Sequence, residues 1–352
     1  GKIYAVHLEP DGSTYRGTKE TFISGSPLPV ADAIIHPEDG SMYFVIGGRK
    51  VQSGVYRVTY IGKDSIKPYI HEKNKDPLVQ LRHQLEDLHL GSNPQALEFA
   101  WPHLNHSDRF IRWAAKIAVQ RLPVKQWSQR ALKEKDHGKR AHLLLSLAKA
   151  TGIDPFHRVP NDPPVDTKIR NKIINSLLKI DLEKITDDEQ LSVIRAYQVA
   201  MVRMGKPGPK YVNKIIKALD PKFPASSFEM NWLLCETLSF LEAPSTAEKG
   251  IALLLRATTQ EEQLEYARSL RTLKSGWSKE LRTHYFDWFL KASNYRGGAS
   301  FTKFIEFIRK DAVASIDVKQ KEELKQPSLD HDLRGLTKPA ELHSWLLGPS
   351  AT

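Results

Sequence analysis

The sequence contains a single cysteine, Cys235, in 352 residues. One cysteine excludes a disulfide within the chain, a Cys-x-x-Cys redox pair and the Cys-x-x-Cys-His attachment site of a c-type haem. Cys235 lies in the apolar helical stretch "NWLLCETLSFL", so we expect a buried thiol of low reactivity. Cysteine usage alone leaves the redox compartment open.

Long apolar runs are also absent. No run of about 18 apolar residues occurs, which argues against a membrane-spanning helix. The first ten residues, "GKIYAVHLEP", contain no apolar core after a charged start, so no signal peptide is predicted within the chain. Because the first residue is Gly1 rather than methionine, we expect a processing or cloning boundary at this end.

The usual sequence signatures of catalysis are missing as well. There is no Walker A loop, no G-x-G-x-x-G fingerprint, no H-E-x-x-H helix and no G-x-S-x-G nucleophile elbow. His103 and His106 lie three residues apart, but two ligands are too few for a closed zinc site. Asp187 and Asp188 fall in the first turn of a predicted helix, where carboxylates complement the helix dipole. We therefore predict no catalytic and no metal-binding residue.

What the chain does have is positive charge, with 52 Lys and Arg against 41 Asp and Glu and a net charge of +11. This balance suits an anionic partner such as nucleic acid, an acidic protein or a membrane surface. A well-solvated basic surface explains it too. The charge is concentrated in two stretches, 125–140 and 203–217. Their candidate contacts with an anionic partner are Lys125, Arg130, Lys139, Arg140, Lys206, Lys210 and Lys214.

The first 72 residues have the alternating pattern of short β-strands, as in "MYFVIGG" and "GVYRVTYIG". Their close, regular spacing indicates a meander of five or six strands, about one propeller blade and part of a neighbour. The paired glycines of "IGGRKVQSG" allow a sharp turn from which Arg49 and Lys50 would project. These two are the candidate ligand-binding residues of a complete propeller, and an ordinary blade turn is the alternative.

From Asp76 onward the hydrophobic period becomes that of helices. Capping boxes of the form Ser/Thr-x-x-Glu begin at Thr186, Ser226, Ser245 and Thr259. Capped helix pairs that recur every ~35–45 residues are typical of a HEAT- or armadillo-like solenoid, with an irregular bundle as the alternative. We therefore predict a mainly α chain with three parts: a small antiparallel β-sheet at 1–72, a HEAT-like α-solenoid at 73–316, and a C-terminal helical or linker segment at 317–352.

One stretch of this β region, "PLPVADAIIHPEDGSMYFVIGGRKVQSGVYRVTYIG", resembles the closing blade of the six-bladed propeller of glucose/sorbosone-dehydrogenase-like proteins. More closely, it resembles the PVC-type haem-binding CxxCH proteins, also called membrane-bound dehydrogenase-domain proteins, in which this blade directly precedes a HEAT-like helical region. Similar stretches continue to about Val313: "EMNWLLCETLSFLEAPSTAEKGIALL", "EEQLEYARSLRTLKSGWSKELRTHYFDWF" and "RGGASFTKFIEFIRKDAV".

The resemblance implies a larger exported or periplasmic parent with a propeller, a helical solenoid and a cytochrome c domain. Such a parent would oxidise a sugar-like or alcohol-like substrate and carry haem c and, as an option, a quinone. This chain lacks most of the blades and the CxxCH motif, so no catalytic residue of the family maps onto it.

We expect the chain itself to be a non-catalytic scaffold without a cofactor of its own. It would position the redox domains of the parent or dock a protein partner on the concave face of the solenoid. Two alternatives stay open: a basic solenoid that binds nucleic acid, which is the less favoured partner, and a part of an active sugar or alcohol dehydrogenase.

Overall fold

The computed structural model describes residues 1–48, 51–67, 75–90, 93–298 and 300–317. The chain divides into two compact units, Gly1–Leu122 and Pro123–Thr352. Five strands and thirteen α-helices occur in the described residues. The chain is therefore mainly helical with antiparallel β-structure at its N-terminal end, as the change of hydrophobic period predicts.

The strands form two antiparallel sheets. A two-stranded sheet pairs β1 with β2, and a three-stranded sheet has the order β3-β4-β5. Between them lies "GSPLP", 25–29, whose two prolines have no amide hydrogen to donate to a ladder. The strand bounds are β1 Lys2–Asp11, β2 Thr14–Ser24, β3 Val30–Ile35, β4 Met42–Gly48 and β5 Val51–Val58.

Three α-helices complete the first unit: α1 Pro77–Asp87, α2 Ala96–Ala100 and α3 Arg109–Arg121. Arg82 of α1 and Asp108, the N-cap residue of α3, hold the turn between β1 and β2. The Ser13 amide donates to Asp108 Oδ2 at 2.7 Å, and Arg82 Nε donates to the Ser13 carbonyl at 2.8 Å. Gly12 has φ +58°, and a Cβ there would lie 2.6 Å from Asp108 Oδ2, so glycine is required. These contacts tie the β1–β2 hairpin to the helices of the first unit.

The second unit contains the other ten helices. Alternate helices contact one another in succession, α5 with α7, α7 with α9, α9 with α11 and α11 with α13, and α4 contacts α6 as α10 contacts α12. The bounds are α4 Val124–Lys133, α5 His137–Thr151, α6 Thr167–Leu177, α7 Asp187–Met204, α8 Pro209–Leu219, α9 Phe228–Leu241, α10 Thr246–Arg256, α11 Gln260–Leu270, α12 Lys279–Ala292 and α13 Phe301–Ala314.

The core of the second unit runs through α5, α7 and α9. Helix α5 is buried on nearly all sides between Ala141 and Ala148, and its Leu143, Leu144 and Leu147 are fully buried. Each buried leucine contributes roughly 1.5–3 kcal/mol through removal of apolar surface from water. No α-helix in the described part of the chain is long and apolar enough to cross a membrane.

The helix starts follow the predicted capping boxes only in part. The box at Thr186 is complete, with the Glu189 amide donating to Thr186 Oγ1 and the Thr186 amide donating to Glu189 Oε2. The prediction at Ser226 is wrong by one residue: Ser227 caps α9 by accepting from the Met230 amide. Ser245 makes no cap hydrogen bond and donates instead to Asp220. Thr259 caps α11 as expected, accepting from the Glu262 amide.

Candidate anion-binding groove

Most of the side chains that the sequence offers for metal binding or catalysis lie in the described part of the chain. No group of three or more His, Cys, Asp or Glu residues that could hold a metal ion occurs there. Asp187 and Asp188 lie in the first turn of α7, as predicted. Cys235 is a fully buried free cysteine, and burial raises the pKa of its thiol to about 12. It is a neutral thiol near neutral pH.

An open groove of about 560 Å³ lies between α6 and α8 in the second unit. Helix α6 packs on α5 and α7, and α8 packs on α9, so each helix turns one face toward the core. The lining residues are Asn175, Leu178, Lys179, Lys214, Lys217 and Ala218. Three of these six side chains are lysines.

Helical spacing explains why the lysines line the groove. Helix α8 buries Ile215 and Leu219, and this places Lys214 and Lys217, one turn apart, on its exposed side. Helix α6 buries Ile173, Ile174 and Leu177 in the same way. The exposed Lys179 follows its last turn. The apolar residues that fix the two helices thus also determine where the positive charges lie.

The two helices of the groove contain no carboxylate, and the carboxylates that follow them, Asp181 and Asp220, are paired with Lys184 and Lys249. Neither α6 nor α8 contains an Asp or Glu, and the whole stretch 190–219 is free of carboxylates. Within the described residues, Lys179, Lys214 and Lys217 form no ion pair. Charges of one sign along a concave surface raise the local concentration of counter-ions. The groove is therefore suited to an anionic ligand.

Direct hydrogen bonds fix the two walls relative to each other. Asn175 Nδ2 donates to the Tyr211 hydroxyl at 3.2 Å, from α6 to α8. The buried Arg170 of α6 donates through Nη1 to the carbonyls of Met204 and Gly205 at 3.0 and 3.1 Å, in the connection that leads to α8. Burial lowers the pKa of Arg170, and the nearby Tyr211 opposes this shift. The width of the groove is thus set by contacts that exist without a ligand.

The predicted anion-contacting residues are spread over several places. Lys125 and Arg130 are exposed on α4, and Lys139 and Arg140 lie in the first turn of α5. Arg140 donates to the Glu134 carbonyl, and Lys206 donates to the Phe240 carbonyl at the end of α9. Lys210 is exposed in the first turn of α8.

Lys214 is the predicted residue that lines the groove, and the prediction missed Lys179 and Lys217. The sequence did contain a signal for this wall of the groove. The stretch 167–180 has lysines at 168, 172 and 179 and no acidic residue. The predicted ligand-binding residues Arg49 and Lys50 lie outside the described residues.

No protein-family model matches this chain, and no curated protein sequence matches it. The functional assignment therefore depends on the residues and geometry of the chain itself.

Proposed function

We propose that this chain is a non-catalytic helical scaffold that binds an acidic segment of a partner protein in the α6–α8 groove. The observation that carries the proposal is the set of three exposed lysines in the groove, Lys214 and Lys217 on α8 and Lys179 just after α6, with no carboxylate in either helix. A carboxylate-rich segment would lie along the groove and exchange solvent counter-ions for these ammonium groups.

An acidic protein segment fits the groove better than nucleic acid does. Single-stranded nucleic acid binds on exposed aromatic platforms that stack the bases. Tyr211, the aromatic residue beside the groove, is half-buried and already hydrogen-bonded to Asn175. Two nearby arginines, Arg170 and Arg203, are directed to helix-end carbonyls and so are not free to contact phosphates.

The scaffold part of the proposal is supported by the helix contacts. In a solenoid each repeat contacts only its neighbours in the chain. The succession of contacts from α5 through α7, α9 and α11 to α13 follows that order. We propose a HEAT-like solenoid on this basis.

A larger parent protein is a further part of the proposal. Tyr4, Val6 and Leu8 alternate along β1 and so share one face of the hairpin, with 43%, 54% and 57% of each residue exposed. An apolar strand face of this kind favours further β-structure packed on it, as in the exported propeller–cytochrome dehydrogenases that the sequence resembles. Haem spectra and dye reduction with a panel of sugars and alcohols would test the parent's cofactor and activity.

Fluorescence anisotropy with a fluorescein-labelled decaglutamate peptide tests the groove. The double charge reversal K214E/K217E should weaken binding at least tenfold, because each exposed ion pair contributes up to about 1 kcal/mol and each reversal adds repulsion. The control K303E/K310E changes the net charge equally at two exposed lysines of α13 and should leave the affinity within twofold.

Binding to the decaglutamate peptide should also weaken as salt rises from about 50 to about 300 mM, because salt screens exposed charges. Equal affinities of the two double variants would overturn the assignment to this groove. Tighter binding of a thymidine decanucleotide than of decaglutamate, lost in K214E/K217E, would favour nucleic acid instead.

A further inference from the structure

We infer that the acidic partner segment carries an apolar side chain that enters a second cavity, formed where the chain continues beyond α6 and α8. This inference rests on the proposed function, because it gives the groove a more specific ligand. The second cavity has a volume of about 280 Å³ and has Ile194, Met230 and Leu234 in its lining. These three side chains are buried, and the more accessible Leu182, Pro224 and Ala225 also line the cavity.

The cavity and the groove are lined by the same two segments of chain. Lys179 and Ala218 line the groove, while Leu182 and Pro221 line the cavity. Two residues lie between the members of each pair, so their Cα atoms are at most about 11 Å apart. The two sites are thus close enough for one extended partner segment of a few residues to span both, past Asp181 and Asp220, which are paired with Lys184 and Lys249.

The walls of the cavity are held in place by hydrogen bonds. Gln190 Nε2 donates to the Leu182 carbonyl at 3.0 Å, and Lys249 Nζ donates to the Asp220 carbonyl at 2.8 Å. Asn231 accepts from the Ala225 amide at 2.6 Å and donates to the Ala225 carbonyl at 2.9 Å. A cavity that is fixed in this way needs little ordering on binding, which favours affinity.

The size and charge of the cavity indicate its ligand. Small-molecule sites usually span ~300–1,000 Å³, so this cavity is too small for most of them but large enough for one apolar side chain. Lys222 and Glu183 also line the cavity. Lys222 Nζ lies 2.8 Å from Glu183 Oε1, and this ion pair neutralises the charge of the lysine. Positive charge is thus available in the groove, and an apolar surface is available in the cavity. An acidic segment with a leucine-like side chain at one end matches both.

The probes are three fluorescein-labelled peptides built on octaglutamate. The reference peptide ends in Gly-Gly, a second peptide ends in Gly-Leu, and a third begins with Leu-Gly, so that either direction of binding is covered. One of the two leucine peptides should bind at least tenfold more tightly than the reference peptide, since burial of a leucine side chain corresponds to about ten- to a hundredfold in affinity. Two variants alter the cavity, A225F by filling it and L182N by making its wall polar.

Both variants should lose the gain from leucine and still bind the reference peptide within twofold of the unmodified chain. Thermal unfolding of each variant identifies any that fails to fold, and the other then decides. Equal affinities for all three peptides, or a gain that survives in both folded variants, would overturn the cavity assignment alone. If binding of the reference peptide is insensitive to K214E/K217E, the proposed function itself fails, and the two failures are thereby distinguished.

Discussion

At the scale of single residues, burial decides what the ionisable side chains of the second unit can do. Burial raises the pKa of Cys235 to about 12, and it also raises the pKa of Tyr197 and Tyr285 above the usual range. These groups remain protonated in the folded chain at pH values where exposed ones ionise. Cys235 therefore serves as a small apolar side chain in the core rather than as a nucleophile.

Cys235 should not react with Ellman's reagent in the folded chain at pH 8, and one thiol per chain should react in 6 M guanidinium. The pKa of the Cys235 thiol is higher in the folded chain than in the unfolded chain, so folding is favoured by keeping this thiol protonated. This stabilisation is complete below about pH 8.5 and declines as pH rises toward 12. The urea midpoint at pH 10 should accordingly be lower than at pH 7. Rapid stoichiometric labelling of the native chain would contradict the burial of this thiol.

The sequence was sufficient to predict a buried Cys235, because the residue has apolar neighbours throughout its helix. It was not sufficient to identify Lys179 and Lys217. These two lysines line one groove only because α6 and α8, which are separated in sequence by α7, lie side by side. The hydrogen bond between Asn175 and Tyr211 joins the two helices. Arg49 and Lys50 lie outside the described residues, and their predicted role stays a prediction.

At the scale of secondary-structure elements, basic side chains hold the C-terminal ends of several helices. Arg203 Nη1 donates to the carbonyls of Lys149 and Gly152 at the end of α5, at 3.0 and 3.1 Å. Lys206 Nζ donates to the Phe240 carbonyl at the end of α9, at 2.8 Å. The last carbonyls of a helix have no partner within it and form the negative end of its dipole. Part of the positive charge in the stretch 203–217 is therefore structural.

Arg170→Met should destabilise the chain by roughly 2 kcal/mol, because carbonyls at the end of α7 lose a charged donor in a buried place. The urea midpoint should fall by about 1 M. Lys172→Met, at an exposed position of the same helix, is the matched control and should change stability by less than about 0.5 kcal/mol. Equal midpoints for the two variants would show that Arg170 does not hold this helix end.

Most helices were predictable because long stretches have a clear 3.6-residue period, and the caps at Thr186 and Thr259 are confirmed. The predicted caps at Ser226 and Ser245 are wrong. The neighbouring Ser227 caps α9, and the Ser245 hydroxyl donates to Asp220 instead of capping α10. The strands divide into two sheets, and Pro27 and Pro29 lie in the segment between them.

At the scale of the whole molecule, the chain combines a β-containing unit with a helical unit, and these have different surface chemistry. The first unit exposes an apolar strand face on β1, whereas the second exposes a lysine-lined groove. The sequence predicted a basic surface and a helical scaffold, but not which helices carry the groove. The resemblance to propeller–cytochrome dehydrogenases stays a prediction about the parent protein.

The proposed function requires an acidic segment to bind between α6 and α8. Carbodiimide cross-linking of a decaglutamate peptide, followed by mass spectrometry, would locate the amide bonds that form between its carboxylates and lysines of the chain. The cross-links should fall on Lys179, Lys214 and Lys217 and should disappear at about 300 mM salt. Cross-links spread over exposed lysines such as Lys303 and Lys310, with these three residues no more modified than the rest, would contradict the account.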